Sequence, residues 1–258
     1  MDNEMNIVSG KRFLTVLFAV MAILLPLSAA AQTDGGRRKR PKPKTEQTQP
    51  AKKHIRKPTA KKTTLSSPDG YLNGHAYVDL GLPSGIKWAT CNVGASSPGE
   101  YGGYYAWGET TTKSSYDESN SLTYSKSDSE LLSAGIIEAS GNLIMQHDAA
   151  RANWGGSWRI PAIAECKELI ERCTWNWTTY GNHKGYKVTG PNGNSIFLPV
   201  AGTREGSSPN EAGVRGYYWS STPNEDHYDA DRISFNSGHT YVGWYRRDYG
   251  RSVRAVSE

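Results

Sequence analysis

From Thr174 onward the apolar and aromatic residues of this chain fall on every second position, and Gly, Asn, Pro and Ser interrupt that repeat at short intervals. A period of two sends alternate side chains to opposite faces of a strand. Strands are therefore expected at Thr174–Tyr180, Tyr186–Thr189, Ser195–Pro199, Tyr217–Ser221, Arg232–Phe235, Thr240–Trp244 and Ser252–Val256, the first three forming a meander. The period just upstream is different. Ile163, Cys166, Leu169, Ile170 and Cys173 form one apolar face opposite Glu165, Lys167, Glu168, Glu171 and Arg172, which predicts an amphipathic helix over Ala162–Cys173, begun after Pro161. A shorter helix is expected over His147–Trp154, stopped by Gly155-Gly156. Tyr71–Leu80 reads as an edge strand or hairpin, and Ile86–Val93 as a second strand with Ile86, Trp88 and Thr90 on one face. Pro98–Glu109 reads as a Gly/Tyr/Trp loop and Thr110–Ser129 as a surface loop, while Leu131–Ile137 fits a helix or a strand equally. Two helices followed by many short antiparallel strands make the expected fold class α+β.

Composition divides the chain before this domain begins. A charged start ending at Lys11-Arg12 leads into the apolar run Phe13–Leu27 and then Ser28-Ala29-Ala30-Ala31. That order is a secretory signal peptide, residues 1–31, too short in its apolar part for the ~20 residues of a spanning helix. The expectation is an exported protein (periplasmic, cell-surface or secreted) with no transmembrane helix in the mature chain. Residues 32–67 read as a disordered basic linker rich in Pro and Lys, because almost nothing in them can be buried to offset ordering entropy. Thr33–Thr63 carries twelve Lys/Arg against Asp34 and Glu46, whereas Thr64 onward carries sixteen Lys/Arg against twenty-one Asp/Glu. The sequence pI of about 9.0 therefore belongs to the linker, and the folded part is mildly acidic. An anionic envelope polymer suits such an arm on an exported chain, and nucleic acid is not expected.

Cys91, Cys166 and Cys173 are the three cysteines. Cys166 and Cys173 lie two helical turns apart, ~10 Å, too far to bond each other without melting the helix. A Cys91–Cys173 disulfide is the expected pairing, with Cys91–Cys166 as the alternative and three free thiols as a third state. No zinc spacing occurs, and no metal or cofactor is expected.

Six motifs then stand in order: Val78–Ala95, Tyr104–Glu109, Trp154–Pro161, Ile196–Gly202, Gly216–Ser221 and Ser252–Val256. Together they resemble the Fibrobacter succinogenes major paralogous domain family (FISUMP), over residues 68–258. The resemblance implies a C-type-lectin-like domain whose C-terminal strand returns beside the N-terminal one, so that Ser252–Val256 would pair with Tyr77–Leu80. It also implies a stable frame presenting an irregular region between Pro199 and Gly250. Ala162 departs from the family's hydroxyl-bearing helix cap, a loss of about 1 kcal/mol. Thr222-Pro223-Asn224 keeps only part of a calcium-lectin tripeptide, leaving Glu225, Asp226, Asp229 and Asp231 as the oxygen ligands on offer.

Trp88, Trp107, Trp154, Trp158 and Trp219 sit in frame motifs and are expected in the core. The candidate ligand-binding residues are Tyr228, Arg232, Asn236, His239, Tyr241, Trp244, Arg246, Asp248 and Tyr249, since rings interleaved with Arg and Asn give contact area at low entropy cost. The chain lacks GxSxG, a P-loop, HExxH and a dinucleotide turn. A non-catalytic recognition domain binding a surface glycan or protein through one exposed aromatic and arginine face within residues 200–250 is the leading expectation. The alternatives are an enzyme (of the sulfatase-modifying type, or a glycosidase using Glu225 with Asp231) and a structural envelope component.

Overall fold

The computed structural model describes residues 63–258. The expected signal peptide and nearly all of the expected linker lie outside the described residues. The last linker residues do not: Thr63 hydrogen-bonds Thr178 through the two hydroxyls at 2.6 Å, Lys187 Nζ donates to Thr64 O, and Ser195 N donates to Ser66 Oγ. The folded unit thus includes 63–67, because residues of all three strands of the meander offer them partners.

The N-terminal hairpin is β1 (Gly70–Leu72) and β2 (His75–Asp79), turned by Asn73-Gly74, both at positive φ. β3 (Lys87–Ala89) pairs with β2. Three helices follow: α1 (Asp128–Ser133), α2 (Ala149–Trp154) and α3 (Ile163–Arg172). The undecided stretch after Leu131 is thus the end of a short helix, and Ser127 caps it. β4 (Thr174–Tyr180), β5 (His183–Thr189) and β6 (Ser195–Pro199) are the expected meander. The small hairpin β7 (Thr203–Glu205) and β8 (Ser208–Asn210) occupies a region with no alternating pattern to announce it. β9 (Gly216–Pro223), β10 (Asp229–Phe235) and β11 (Thr240–Arg246) form one antiparallel sheet, and β12 (Val256–Ser257) ends the chain's strands. The class is α+β. No helix among the described residues is long and apolar enough to cross a membrane.

The C-terminal strand does join the N-terminal sheet, but not where expected. β12 pairs with β3, Val256 opposite Trp88 and Ser257 opposite Lys87, and the sheet order is β1-β2-β3-β12. β2 has no free edge for it, since β1 occupies one side and β3 the other. Alternation then divides the core. Trp88, Val78 and Val256 face a cluster with Cys166, Leu169, Tyr218 and Phe235, while Ala89, Val253 and Ala255 face a cluster with Trp107, Trp154, Trp158 and Trp219. All five frame tryptophans are buried.

Two polar devices hold the frame. Asp148 is buried and caps α2, its Oδ1 accepting from Ala150 N and Arg151 N while Oδ2 accepts from Ile160 N at 2.7 Å. Arg254 is 1% exposed and has no carboxylate partner. Its fork donates to the carbonyls of Ala89, Thr90 and Phe197 and twice to Asn92 Oδ1, at 2.8–3.2 Å. Asn92 in turn donates to Tyr101 O and to the Tyr218 hydroxyl. The start of α3 repairs the missing hydroxyl of Ala162 from elsewhere: Ile163 N donates to Thr222 Oγ1 of β9, and Ala162 N to Glu165 Oε2.

The expected Cys91–Cys173 disulfide is not formed, nor is its alternative; all three cysteines are free thiols. β3 separates them. Cys91 lines a hollow with His75, Thr90 and Trp154, whereas Cys166 and Cys173 pack into the other cluster with α3. Burial, helped by Glu168, pushes the Cys173 thiol up to about 11, and burial pushes Cys166 up further.

Two outcomes follow from this packing. Arg254→Met leaves four acceptors without a charged donor, each such bond being worth ~1.5–3 kcal/mol, so unfolding free energy measured in urea should fall by about 3 kcal/mol or more. Thiol titration of the non-reduced, denatured protein should count all three cysteines. In the native protein at pH 8, Cys173 should alkylate on the order of a hundredfold more slowly than an ordinary cysteine, since each pKa unit is tenfold in thiolate.

Candidate functional site

The register of the β9–β11 sheet decides which rings share a surface. Ser234 lies opposite Tyr217 and Tyr241, Arg232 opposite Trp219 and Gly243, and Ala230 opposite Tyr245. Those residues occupy one face. Val242 and Trp244 pair with Ile233 and Asp231 on the other, which packs on α3. The expected single face of rings is therefore two: Trp244, 59% exposed, projects on the opposite side from Tyr241 and Tyr245. Strict alternation along β11 requires this split.

On the Tyr241 side the sheet floors an open cavity of about 500 Å³. The β7–β8 hairpin and residues 249–251 form its other walls. Gly250 fixes the hairpin, exchanging backbone hydrogen bonds with Arg204 and accepting from Thr203 Oγ1. A Cβ on Gly250 would come within 2.7 Å of the buried Tyr116 ring, so this close approach needs glycine. Arg251 is pinned through its backbone to Tyr105, 2.9 Å in each direction.

Two guanidinium groups meet in this cavity. Arg251 is 1% exposed and Arg232 6%. Arg251 lies over the rings of Trp219, Tyr245 and Tyr217 at 4.7–4.9 Å, and Arg232 lies over Tyr217 at 4.7 Å and Tyr245 at 5.6 Å. Such stacking partly compensates a desolvated cation. It does not satisfy the N–H groups: Nε and Nη1 of both arginines have no hydrogen-bond partner among the described residues. Burial pulls the Arg251 guanidinium well below its ordinary value and the neighbouring Arg232 charge adds to that, the surrounding tyrosines opposing; burial also lowers Arg232. The two carboxylates that line the cavity, Glu205 and Glu211, are engaged with groups other than these two arginines. Glu211 accepts from the Tyr217 hydroxyl and pairs with Arg215 at 3.3 Å, and Glu205 accepts from Asn210 Nδ2.

The nine expected ligand residues divide accordingly. Arg232, Tyr241 and Tyr249 line the cavity, though Arg232 and Tyr249 are buried walls rather than exposed contacts. Asn236 and His239 border an adjoining hollow of about 230 Å³ that shares Tyr241, and Asn236 Oδ1 is bonded to its own turn at Gly238 N and His239 N. Arg246 and Asp248 are bonded to each other, 2.9 Å and 3.0 Å, with Arg246 also on Glu118 at 2.6 Å; Asp248 is buried by that pairing, which corrects its expected exposure. Tyr228 is exposed and packs on Tyr124 and His227, outside the cavity, and Trp244 is on the far face. Sequence reasoning passed over Arg251, Tyr217 and Tyr245. Arg251 carried a signal: it shares the period-two face of Val253 and Ala255, both core, so a buried arginine was legible there.

Glu225 is exposed, whereas Asp231 is half-buried on the α3-facing side and accepts from Asn224 Nδ2. Neither lines the cavity, and among the described residues no group of three or more His, Cys, Asp or Glu could hold a metal ion. The chain matches no family model, no curated protein and no solved structure.

Proposed function

We propose that the folded unit is a non-catalytic recognition domain of an exported FISUMP-like, C-type-lectin-like protein, and that it binds a surface glycan or protein at the cavity between the β9–β11 sheet and the β7–β8 hairpin. The observation that carries this is the pair of buried guanidiniums with unsatisfied N–H groups behind tyrosine walls in a cavity open to solvent. A buried, unpartnered polar group is destabilising, and a ligand that supplies the missing partners recovers that cost. Tyr241 and Tyr245, both partly exposed, give the mouth rings with a polar tip, the side chains favoured at contact surfaces. Burial raises the Cys166 and Cys173 thiols away from the reactive thiolate form, which makes these two poor nucleophiles.

In a screen of the full chain against arrayed glycans and envelope proteins, Tyr245→Ala and Tyr241→Ala should each weaken the selected ligand about tenfold or more. Trp244→Ala, on the opposite face, should leave binding unchanged. Loss on Trp244→Ala with retention in both tyrosine variants would sink the cavity as the site.

A further inference from the structure

The charge balance of the cavity narrows what it takes. Arg215, Arg232 and Arg251 bring three guanidiniums against the carboxylates of Glu205 and Glu211, leaving one positive charge. Glu211 is bound to Arg215 and Tyr217, so the uncompensated charge resides on Arg232 and Arg251. We infer that this cavity holds a sugar bearing one carboxylate, a uronic-acid residue, with its carboxylate on Arg232 and Arg251. The inference rests on the cavity being the binding site.

A planar guanidinium fork matches a planar carboxylate through paired N–H donors. A phosphate dianion or a densely sulfated chain would bring more negative charge than the cavity leaves open and would face Glu205 and Glu211. The rest of the ligand meets Tyr217, Tyr241 and Tyr245, whose faces suit the C–H face of a pyranose, while Thr203, Asn210 and Glu205 present donors and acceptors for ring hydroxyls. Peptide carboxylates lack those hydroxyls and would leave the polar rim unpaired. A volume of about 500 Å³ lies in the range of small-ligand sites.

The test is calorimetric titration of the full chain at fixed ionic strength with sodium glucuronate, glucose, sodium acetate, sodium sulfate and N-acetyl-dialanine. Glucuronate should bind at least about tenfold more tightly than any of the others, since hydrogen bonds to charged groups exceed ~1.5 kcal/mol and 1.4 kcal/mol is tenfold. Arg232→Met should abolish that preference. It should also leave the melting temperature of the free protein unchanged or raised, because it removes a buried cation with no anionic partner. Glucuronate and glucose binding equally, both lost in Tyr245→Ala, would overturn the carboxylate assignment while keeping the cavity as the site. Glucuronate binding that survives both Arg232→Met and Tyr245→Ala would overturn both. No heat from glucuronate, or a tighter response to sulfate or to the peptide, would overturn the uronic-acid assignment. A fall in melting temperature in Arg232→Met with the glucuronate preference intact would assign the arginine to packing alone and overturn it as well.

Discussion

The frame depends on one buried cation. Arg254 ties the C-terminal segment to β3, to the Asn92 turn and to β6 through neutral acceptors only. A guanidinium without a carboxylate partner holds its place by saturating its donors, five in number and fixed in a plane. That geometry requires two separate chain segments, residues 89–92 and β6, to present oxygens to one point. It thereby sets where β12 lies against β3, which in turn fixes the division of the core into two clusters.

The same stretch of chain contains arginines in opposite circumstances. Arg246 is paired with Asp248 and Glu118, and Arg247 donates to the carbonyls of Asp229 and Lys126 while lying over Trp107. Arg254 is saturated. Arg232 and Arg251 are equally withdrawn from water but only stacked, with donors left over. Position explains the difference. Arg246 reaches two carboxylates and Arg254 reaches carbonyls and the Asn92 amide oxygen, while Arg247 reaches carbonyls but keeps Nη2 without a hydrogen-bond partner among the described residues. The other two point from a sheet face and an adjacent segment, where backbone groups are used by the ladder and only side chains or a ligand can serve.

Much of the frame was legible in the sequence because it is written in periodicity. The helix over 163–172 and the meander follow from spacing alone, whereas the burial of the tryptophans was expected from their place in the motifs that carry the resemblance. What escaped was information that spacing does not carry. The β7–β8 hairpin has polar three-residue strands and is held by Gly250 from far along the chain. The pairing of β12 with β3 depended on which edges were already occupied. For the site, composition located the right region, but exposure was assigned by residue type. Asp248 and Arg232 proved buried, and Trp244 faced away, because in a strand the side of the sheet is set by parity and not by chemistry.

The cap of α3 has a consequence for the order in which the molecule assembles. A ten-residue helix is shorter than the ~12–15 residues that hold together alone in water, and its first free N–H is satisfied by Thr222, fifty-nine positions away. The helix therefore gains its full persistence only after the strand carrying Thr222 has arrived. Part of this helix's stability is thus supplied from across the chain and is missing from any state in which that strand has not docked.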